Sequence, residues 1–186
     1  MTRIVLTYGL VSGLVIITGI ILTVLINGQE PHGNVWLGYL IMLIAMSAIL
    51  LGVKQHRDQA LGGVIRFWPA LKLGLGVALI ASLTYVAVWE VYLALTDYVF
   101  MDRYIAAVLQ TEQEAGASPA DYAALERKLQ GMGEMYANPL LRMPMTFAEI
   151  FPVGLLVSLV SAALLRNSRF LPARAIARTG GVQAQS

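Results

Sequence analysis

One stretch of the chain without a charged side chain constrains its fold most strongly. Between Arg3 and Glu30, residues 4–29 are all uncharged and are dominated by Ile, Leu and Val. A helix needs about 20 apolar residues to cross the roughly 30 Å of hydrocarbon in a bilayer. The stretch therefore predicts a transmembrane helix over residues 4–26.

Three more apolar stretches follow and predict further spans over residues 35–53, 70–95 and 146–165. The composition agrees, because 58% of the chain is hydrophobic and only 13% is charged, unlike an ordinary soluble domain. The sequence thus predicts an all-α integral membrane protein with four transmembrane helices.

Residues 1–166 are predicted to form one membrane domain that holds all four spans. Turn-forming residues at 27–33, which read Asn-Gly-Gln-Glu-Pro-His-Gly, predict a chain reversal between the first two spans. Residues 167–186 contain Arg169, Arg174 and Arg178 and end in a Gly/Gln/Ser stretch, so we expect a basic, disordered cytoplasmic tail.

The distribution of Lys and Arg predicts the orientation, because cytoplasmic loops carry an excess of both. With the N-terminus inside, nine of the thirteen lie on the cytoplasmic side and four outside. Both termini are therefore expected in the cytoplasm of a multi-pass protein. The nine are Arg3, Lys54, Arg57, Arg66, Lys72, Arg166, Arg169, Arg174 and Arg178, and the four are Arg103, Arg127, Lys128 and Arg142.

Residues 97–142 do not belong in lipid, because they contain seven acidic and four basic side chains. Apolar residues recur at helical spacing on both sides of Gly116, and Ser118-Pro119 has the form of a helix start. The pattern predicts an extracytoplasmic helical hairpin between the third and fourth spans. Its first helix either continues the third span or stands apart from it, and its apolar stripes pack on each other or on the headgroup region.

Several short motifs together resemble a family of small bacterial membrane proteins called domain of unknown function 4199, over residues 4–166. The resemblance implies a bacterial cytoplasmic (inner) membrane setting and the same four-span layout, and it implies no particular activity. The motifs lie at residues 8–13 (YGLVSG), 52–58 (GVKQHRD), 62–65 (GGVI), 88–92 (VWEVY), 135–140 (MYANPL) and 146–154 (TFAEIFPVG).

Glu90 and Glu149 form the candidate functional polar pair, because an ionisable group within a membrane helix is costly and usually functional. From the predicted span ends they lie about 8 Å and about 5 Å below the outer helix ends. If they face each other, they could share a proton or bind a cation. Alternatively each is neutralised by Arg103 or Arg142, or bonds a backbone carbonyl freed by Pro152.

Pro152 lies inside the fourth predicted span. Proline lacks a backbone N–H, so it leaves the carbonyl four residues earlier without its helical partner. We therefore predict a helix kink at this position.

Other chemistry receives little support from the sequence. The chain has no cysteine, which excludes disulfides, thiol nucleophiles and Cys-based zinc sites. Glu30 and His32 with the two membrane acids make a poor metal site, and a net charge of +2 does not indicate nucleic acid binding. We predict no catalytic residue, no cofactor and no metal.

Two functions remain open. The first is a non-enzymatic accessory, structural or interaction protein that binds another membrane protein or a second copy of itself. The second is a small proton- or cation-coupled transporter that uses Glu90 and Glu149. Small-residue faces serve either self-association or packing within one bundle. These faces are Gly9-x-x-x-Gly13, Ala78-x-x-x-Ser82 and Ser158-x-x-x-Ala162.

Overall fold

The computed structural model describes residues 1–27 and 35–173, and every regular element within these two ranges is an α-helix. The predicted turn at residues 28–33 and the end of the tail, from Arg174 onward, lie outside the described residues. The helices are α1 (Thr2–Asn27), α2 (Val35–Met46), α3 (Ala48–Ala60), α4 (Phe67–Leu95), α5 (Phe100–Glu114), α6 (Pro119–Ala137) and α7 (Pro139–Leu165).

Four helical segments are long and apolar enough to cross a membrane: Thr2–Thr23, Trp36–Ala60, Phe67–Leu95 and Pro139–Leu165. This confirms the predicted all-α architecture with four candidate spans. The second segment joins α2 and α3 across Ser47, whose hydroxyl donates to the Ile44 carbonyl oxygen at 2.5 Å. This side-chain hydrogen bond competes with the backbone hydrogen bonds of the helix at the point where α2 and α3 meet.

Close contacts between small residues bring the spans together around α4, which packs against both α1 and α7. A Cβ atom built on Gly13 would lie 2.7 Å from the Ala81 carbonyl oxygen, and one built on Gly154 would lie 2.7 Å from the Ala78 Cβ atom. The predicted small-residue faces therefore serve packing inside this bundle.

A buried arginine ties α3 to the chain that follows α7. Arg57 is 0% exposed. Its Nε donates to Asp58 at 2.7 Å, its Nη1 donates to the Phe170 carbonyl oxygen at 2.9 Å, and its Nη2 donates to the Leu171 carbonyl oxygen. Asp58 also pairs with Lys54 one turn earlier. The guanidinium is thus both charge-paired and hydrogen-bonded, as a buried charge requires.

The helix that carries the end of the second predicted span, residues 35–53, is longer than that span. Helix α3 continues to Ala60, and the polar residues 54–59 form its last turns. The polar run does not end the helix because Arg57 and Lys54 find partners at this end of the bundle, so their cost of burial is offset.

Helices α5 and α6 form a hairpin of their own and pack on each other. The chain leaves α4 through Asp97 and Tyr98, both with positive φ (53° and 55°), so the third span does not continue into α5. Gly116, with φ 79°, turns the chain before α6. There Ser118 caps the helix by accepting from the Asp121 backbone N–H at 3.2 Å.

The fourth long helix begins at Pro139 and not at residue 146. Asn138 starts it by accepting from the Leu140 backbone N–H at 3.0 Å, and Pro139 occupies the first turn, where a missing N–H does no harm. The helix is continuous through Pro144 and Pro152, so Pro152 does not end it, and the kink there stays a prediction.

Candidate functional site

Glu90 and Arg142 form an ion pair between the end of α4 and the start of α7. Arg142 donates from Nε to Glu90 Oε1 at 2.8 Å and from Nη2 to Oε2 at 2.6 Å. This is the two-pronged geometry in which arginine binds carboxylates most strongly. Both side chains are largely buried, since Arg142 is 3% and Glu90 15% exposed.

Arg142 also contacts the hairpin. Its Nη1 donates to the Tyr136 carbonyl oxygen at 2.9 Å. Its guanidinium carbon lies 5.1 Å from the centre of the Tyr98 ring and 5.6 Å from the centre of the Tyr136 ring, within range of cation–π attraction. One buried cation therefore joins α7, α4, the turn before α5 and the end of α6.

Trp89 adds a second link between α4 and α6. Its indole Nε1 donates to the Tyr136 hydroxyl at 2.8 Å. Burial raises the pKa of the Tyr136 phenol, and the carboxylates of Glu90 and Glu149 raise it further. The hydrogen bond from Trp89 and the charge of Arg142 oppose that rise in pKa. We call the four residues Trp89, Glu90, Tyr136 and Arg142 the hairpin clamp.

Glu149 lies in a different setting, on the wall of a cavity of about 490 Å³ between the hairpin and the spans. Its side chain is exposed, and within the described residues it makes no ion pair or hydrogen bond. The other lining residues are Ile20, Thr23, Gly38, Tyr39, Met42, Tyr85, Trp89, Phe100, Met101, Tyr104, Met132, Tyr136, Met145 and Thr146.

The two predicted site acids thus have different surroundings. Glu90 is neutralised by Arg142, which is one of the structural alternatives that the sequence left open. Glu149 pairs with neither Arg142 nor Arg103. Because α7 begins at Pro139, Glu149 lies about 15 Å along its helix, farther than the predicted span start implied. The carboxylates of both Glu90 and Glu149 raise the pKa of the Tyr136 phenol.

Two features of the structure, one in this site and one at the opposite end of the bundle, were not predicted from the sequence. One is the cavity, which requires side chains from six helices and leaves no local pattern. The other is the buried Arg57, for which the adjacent Asp58 and the apolar residues before it were the available signal. Among the residues that the structure describes, no three His, Cys, Asp or Glu side chains gather into a metal-binding group. The metal candidates Glu30 and His32 lie outside those residues.

The fold and the clamp define the class: an all-α protein with four helices long and apolar enough to span a membrane, and a helical hairpin fixed to one end of the bundle. No curated protein and no solved structure matches the chain. The chain belongs to the family described as "Protein of unknown function (DUF4199)", whose model matches residues 7–167 and confirms the resemblance.

Proposed function

We propose that the protein is a non-enzymatic accessory protein of the bacterial cytoplasmic membrane, which holds its α5–α6 hairpin in a fixed orientation so that it binds another membrane protein. The observation that carries this proposal is the hairpin clamp. A buried ion pair contributes little net stability compared with apolar packing, but it does specify one geometry. Here that geometry is the position of the hairpin relative to the spans.

The charge of the hairpin indicates the partner's chemistry. Residues 97–142 carry seven acidic and four basic side chains, and one of the four, Arg142, is buried against Glu90. Glu114 and Glu134 are exposed, each near the end of its helix. An acidic surface steers and binds a basic one, and two copies of an acidic hairpin repel. We therefore assign the hairpin a partner with a basic surface in preference to a second copy of this chain.

The orientation in the membrane is part of the same proposal. Contacts bring the start of α1 close to the end of α3, since the Tyr8 hydroxyl donates to Gln55 Oε1 at 2.8 Å. Arg57 joins the end of α3 to Phe170, just after α7. Most of the Lys and Arg side chains belong to this end, which supports a cytoplasmic location for it and for both termini. The hairpin at the opposite end would then face outward.

Single-cysteine labelling tests the orientation directly, because the chain has no cysteine of its own. Gln130→Cys places a thiol on the exposed surface of the hairpin, and Gln59→Cys places one at the opposite end. In intact cells a membrane-impermeant maleimide should label Gln130→Cys only. Labelling of Gln59→Cys with protection of Gln130→Cys would reverse the proposed topology.

The partner is tested by gentle purification from the native membrane and mass spectrometry of the intact assembly. The comparison is the double variant Glu114→Lys/Glu134→Lys, in which lysine suits the negative ends of both helices and so should not disturb folding. We expect a stoichiometric partner with the wild type and its loss from the variant. A chain that is purified without a partner, or a partner that the variant retains, contradicts the proposal.

A second candidate function is a small proton- or cation-coupled transporter, and the free carboxylate of Glu149 in the cavity favours it. Glu90 is already neutralised by Arg142, so the coupling role falls to Glu149. Purified protein in vesicles that contain a pH-sensitive dye should then dissipate an imposed pH gradient. Glu149→Gln should abolish the flux, and equal flux in that variant and the wild type would exclude this function.

A further inference from the structure

The proposed accessory function assigns no ligand to the cavity that contains Glu149, and the second candidate function assigns it only a coupling proton or cation. We propose that this cavity binds a lipophilic organic cation, whose apolar groups contact the aromatic and methionine side chains and whose charge is neutralised by Glu149. The inference goes beyond the hairpin's proposed partner, because the site lies beneath the hairpin and not on its exposed surface.

The size and lining of the cavity suit a small organic molecule. Its volume of about 490 Å³ lies within the range of small-molecule sites, about 300–1,000 Å³. Ten of the lining residues are aromatic or methionine, and methionine side chains adapt to ligands of different shape. The aromatic residues are Tyr39, Tyr85, Trp89, Phe100, Tyr104 and Tyr136, and the methionines are Met42, Met101, Met132 and Met145.

The polar groups of the lining favour a positive ligand. Glu149 brings a carboxylate that no described cation neutralises. The hydroxyl of Thr146 donates its proton to the Arg142 carbonyl oxygen at 3.0 Å, and that of Thr23 donates to the Gly19 carbonyl oxygen at 2.8 Å. Both threonine oxygens can therefore only accept. These three acceptor groups favour a cation, whereas the hydroxyls of the lining tyrosines can donate or accept and suit a ligand of either charge.

The indole N–H of Trp89 is likewise unable to bind an anion, because it already donates to the Tyr136 hydroxyl at 2.8 Å. The aromatic side chains of the lining attract a cation wherever the face of a ring is open to the cavity.

Elsewhere in this protein a carboxylate and two aromatic rings already hold a cation. The guanidinium of Arg142 is held by the Glu90 carboxylate and by the rings of Tyr98 and Tyr136. The cavity wall around Glu149 again combines a carboxylate with tyrosine rings, and Tyr136 belongs to both arrangements. No described residue supplies a cation to the arrangement around Glu149. An external cation completes this second arrangement.

The test uses the full chain in phosphatidylcholine nanodiscs, with empty nanodiscs to correct for partition into lipid. The probes are tetraphenylphosphonium and tetraphenylborate, which have the same shape and opposite charge. We expect saturable, stoichiometric binding of the phosphonium by equilibrium dialysis, and no saturable binding of the borate. Absent phosphonium binding, or borate binding of equal affinity, would overturn the proposal.

Variants at one position identify the counter-ion. Glu149→Gln should weaken phosphonium binding at least tenfold, while Glu149→Asp, which keeps the charge, should bind within a few-fold of the wild type. Glu134→Gln makes the same chemical change on the exposed hairpin surface and should have no effect. Thermal unfolding of each variant establishes that it is folded. Equal binding by folded Glu149→Gln and the wild type would refute the role of Glu149.

The result of the phosphonium-binding test does not depend on whether the hairpin binds the proposed protein partner. The double variant Glu114→Lys/Glu134→Lys changes the hairpin surface and leaves every lining residue in place. It should lose the protein partner and retain phosphonium binding. Loss of phosphonium binding in this folded variant would contradict the location of the site in the cavity.

Discussion

The indole nitrogen of Trp89 and the hydroxyl of Tyr136 lie 2.8 Å apart and join the third span to the end of the hairpin. Trp89 is 5% exposed, so its N–H has little access to water. Its ring also packs edge-on against Phe100, with 5.0 Å between the ring centres. A single tryptophan therefore contacts both helices of the hairpin from within a span.

Removing the hydroxyl of Tyr136 should destabilise the protein. Tyr136→Phe leaves the Trp89 N–H without its acceptor, and a buried unsatisfied donor costs about 1–3 kcal/mol. The free energy of unfolding in detergent, followed by tryptophan fluorescence, measures the loss. Tyr122→Phe is the matched control, because the Tyr122 hydroxyl has no hydrogen-bond partner among the described residues. Equal stability of the two variants would contradict the role of the Trp89–Tyr136 bond.

Neutralising the two membrane acids should have unequal effects on stability. Glu90→Gln leaves the buried Arg142 charge uncompensated, which typically costs about 3–5 kcal/mol. Glu149→Gln removes a charge that has no partner among the described residues, so the free energy of unfolding should change by less than about 1 kcal/mol. Reversible unfolding in mixed detergent compares them. A larger loss in Glu149→Gln than in Glu90→Gln would overturn the assignment.

Two glycine substitutions should have opposite effects on stability. A Cβ atom at Gly13 would lie 2.7 Å from the Ala81 carbonyl oxygen, so Gly13→Ala should destabilise the bundle by about 1–3 kcal/mol. A Cβ atom at Gly131, within α6, meets nothing within 4 Å. Gly131→Ala should therefore stabilise by about 0.5–1 kcal/mol, because alanine favours the helix. Thermal unfolding of the two variants measures whether each change in stability has the expected sign. Wild-type stability in Gly13→Ala would mean that α1 does not approach α4 so closely.

Replacing Arg57 should loosen the chain after α7. Arg57→Lys keeps the charge but loses the planar fork that reaches Asp58 and the Phe170 and Leu171 carbonyl oxygens together. Backbone amides near Phe170 should then exchange hydrogen at least tenfold faster. Lys72→Arg, at an exposed position on the same end of the bundle, is the control and should leave exchange unchanged. Unchanged exchange in Arg57→Lys would show that these bonds do not hold the segment.

The four candidate spans could be predicted because the constraint on them is local. A bilayer requires a long uncharged helix, and that requirement is visible in any single stretch such as residues 4–29. The helix ends were harder to predict. Helix α3 continues past its apolar residues because Arg57 finds partners after α7, and a contact across 113 positions has no trace in the local pattern.

The candidate site was predicted only in its parts. The cost of a charge in a membrane helix singled out Glu90 and Glu149, and Arg142 was one of two arginines considered as a partner. The choice between Arg103 and Arg142 depends on where α7 begins, because Asn138 and Pro139 start the helix early enough to carry Arg142 alongside Glu90. The cavity depends on the packing of the hairpin on the spans, which no local sequence pattern specifies.

The buried Arg57 has a consequence for the biosynthesis of the chain. Ribosomes complete the second span long before Phe170 and Leu171 exist, so the guanidinium must wait for its two carbonyl partners until the last span has been made. During that interval Asp58 still neutralises the charge of Arg57, but the Nη1 and Nη2 N–H groups lack their carbonyl acceptors and are costly to bury. These two hydrogen bonds therefore form only after translation has passed the end of the fourth long helix. A chain truncated before Phe170 would leave Nη1 and Nη2 of Arg57 without these carbonyl partners.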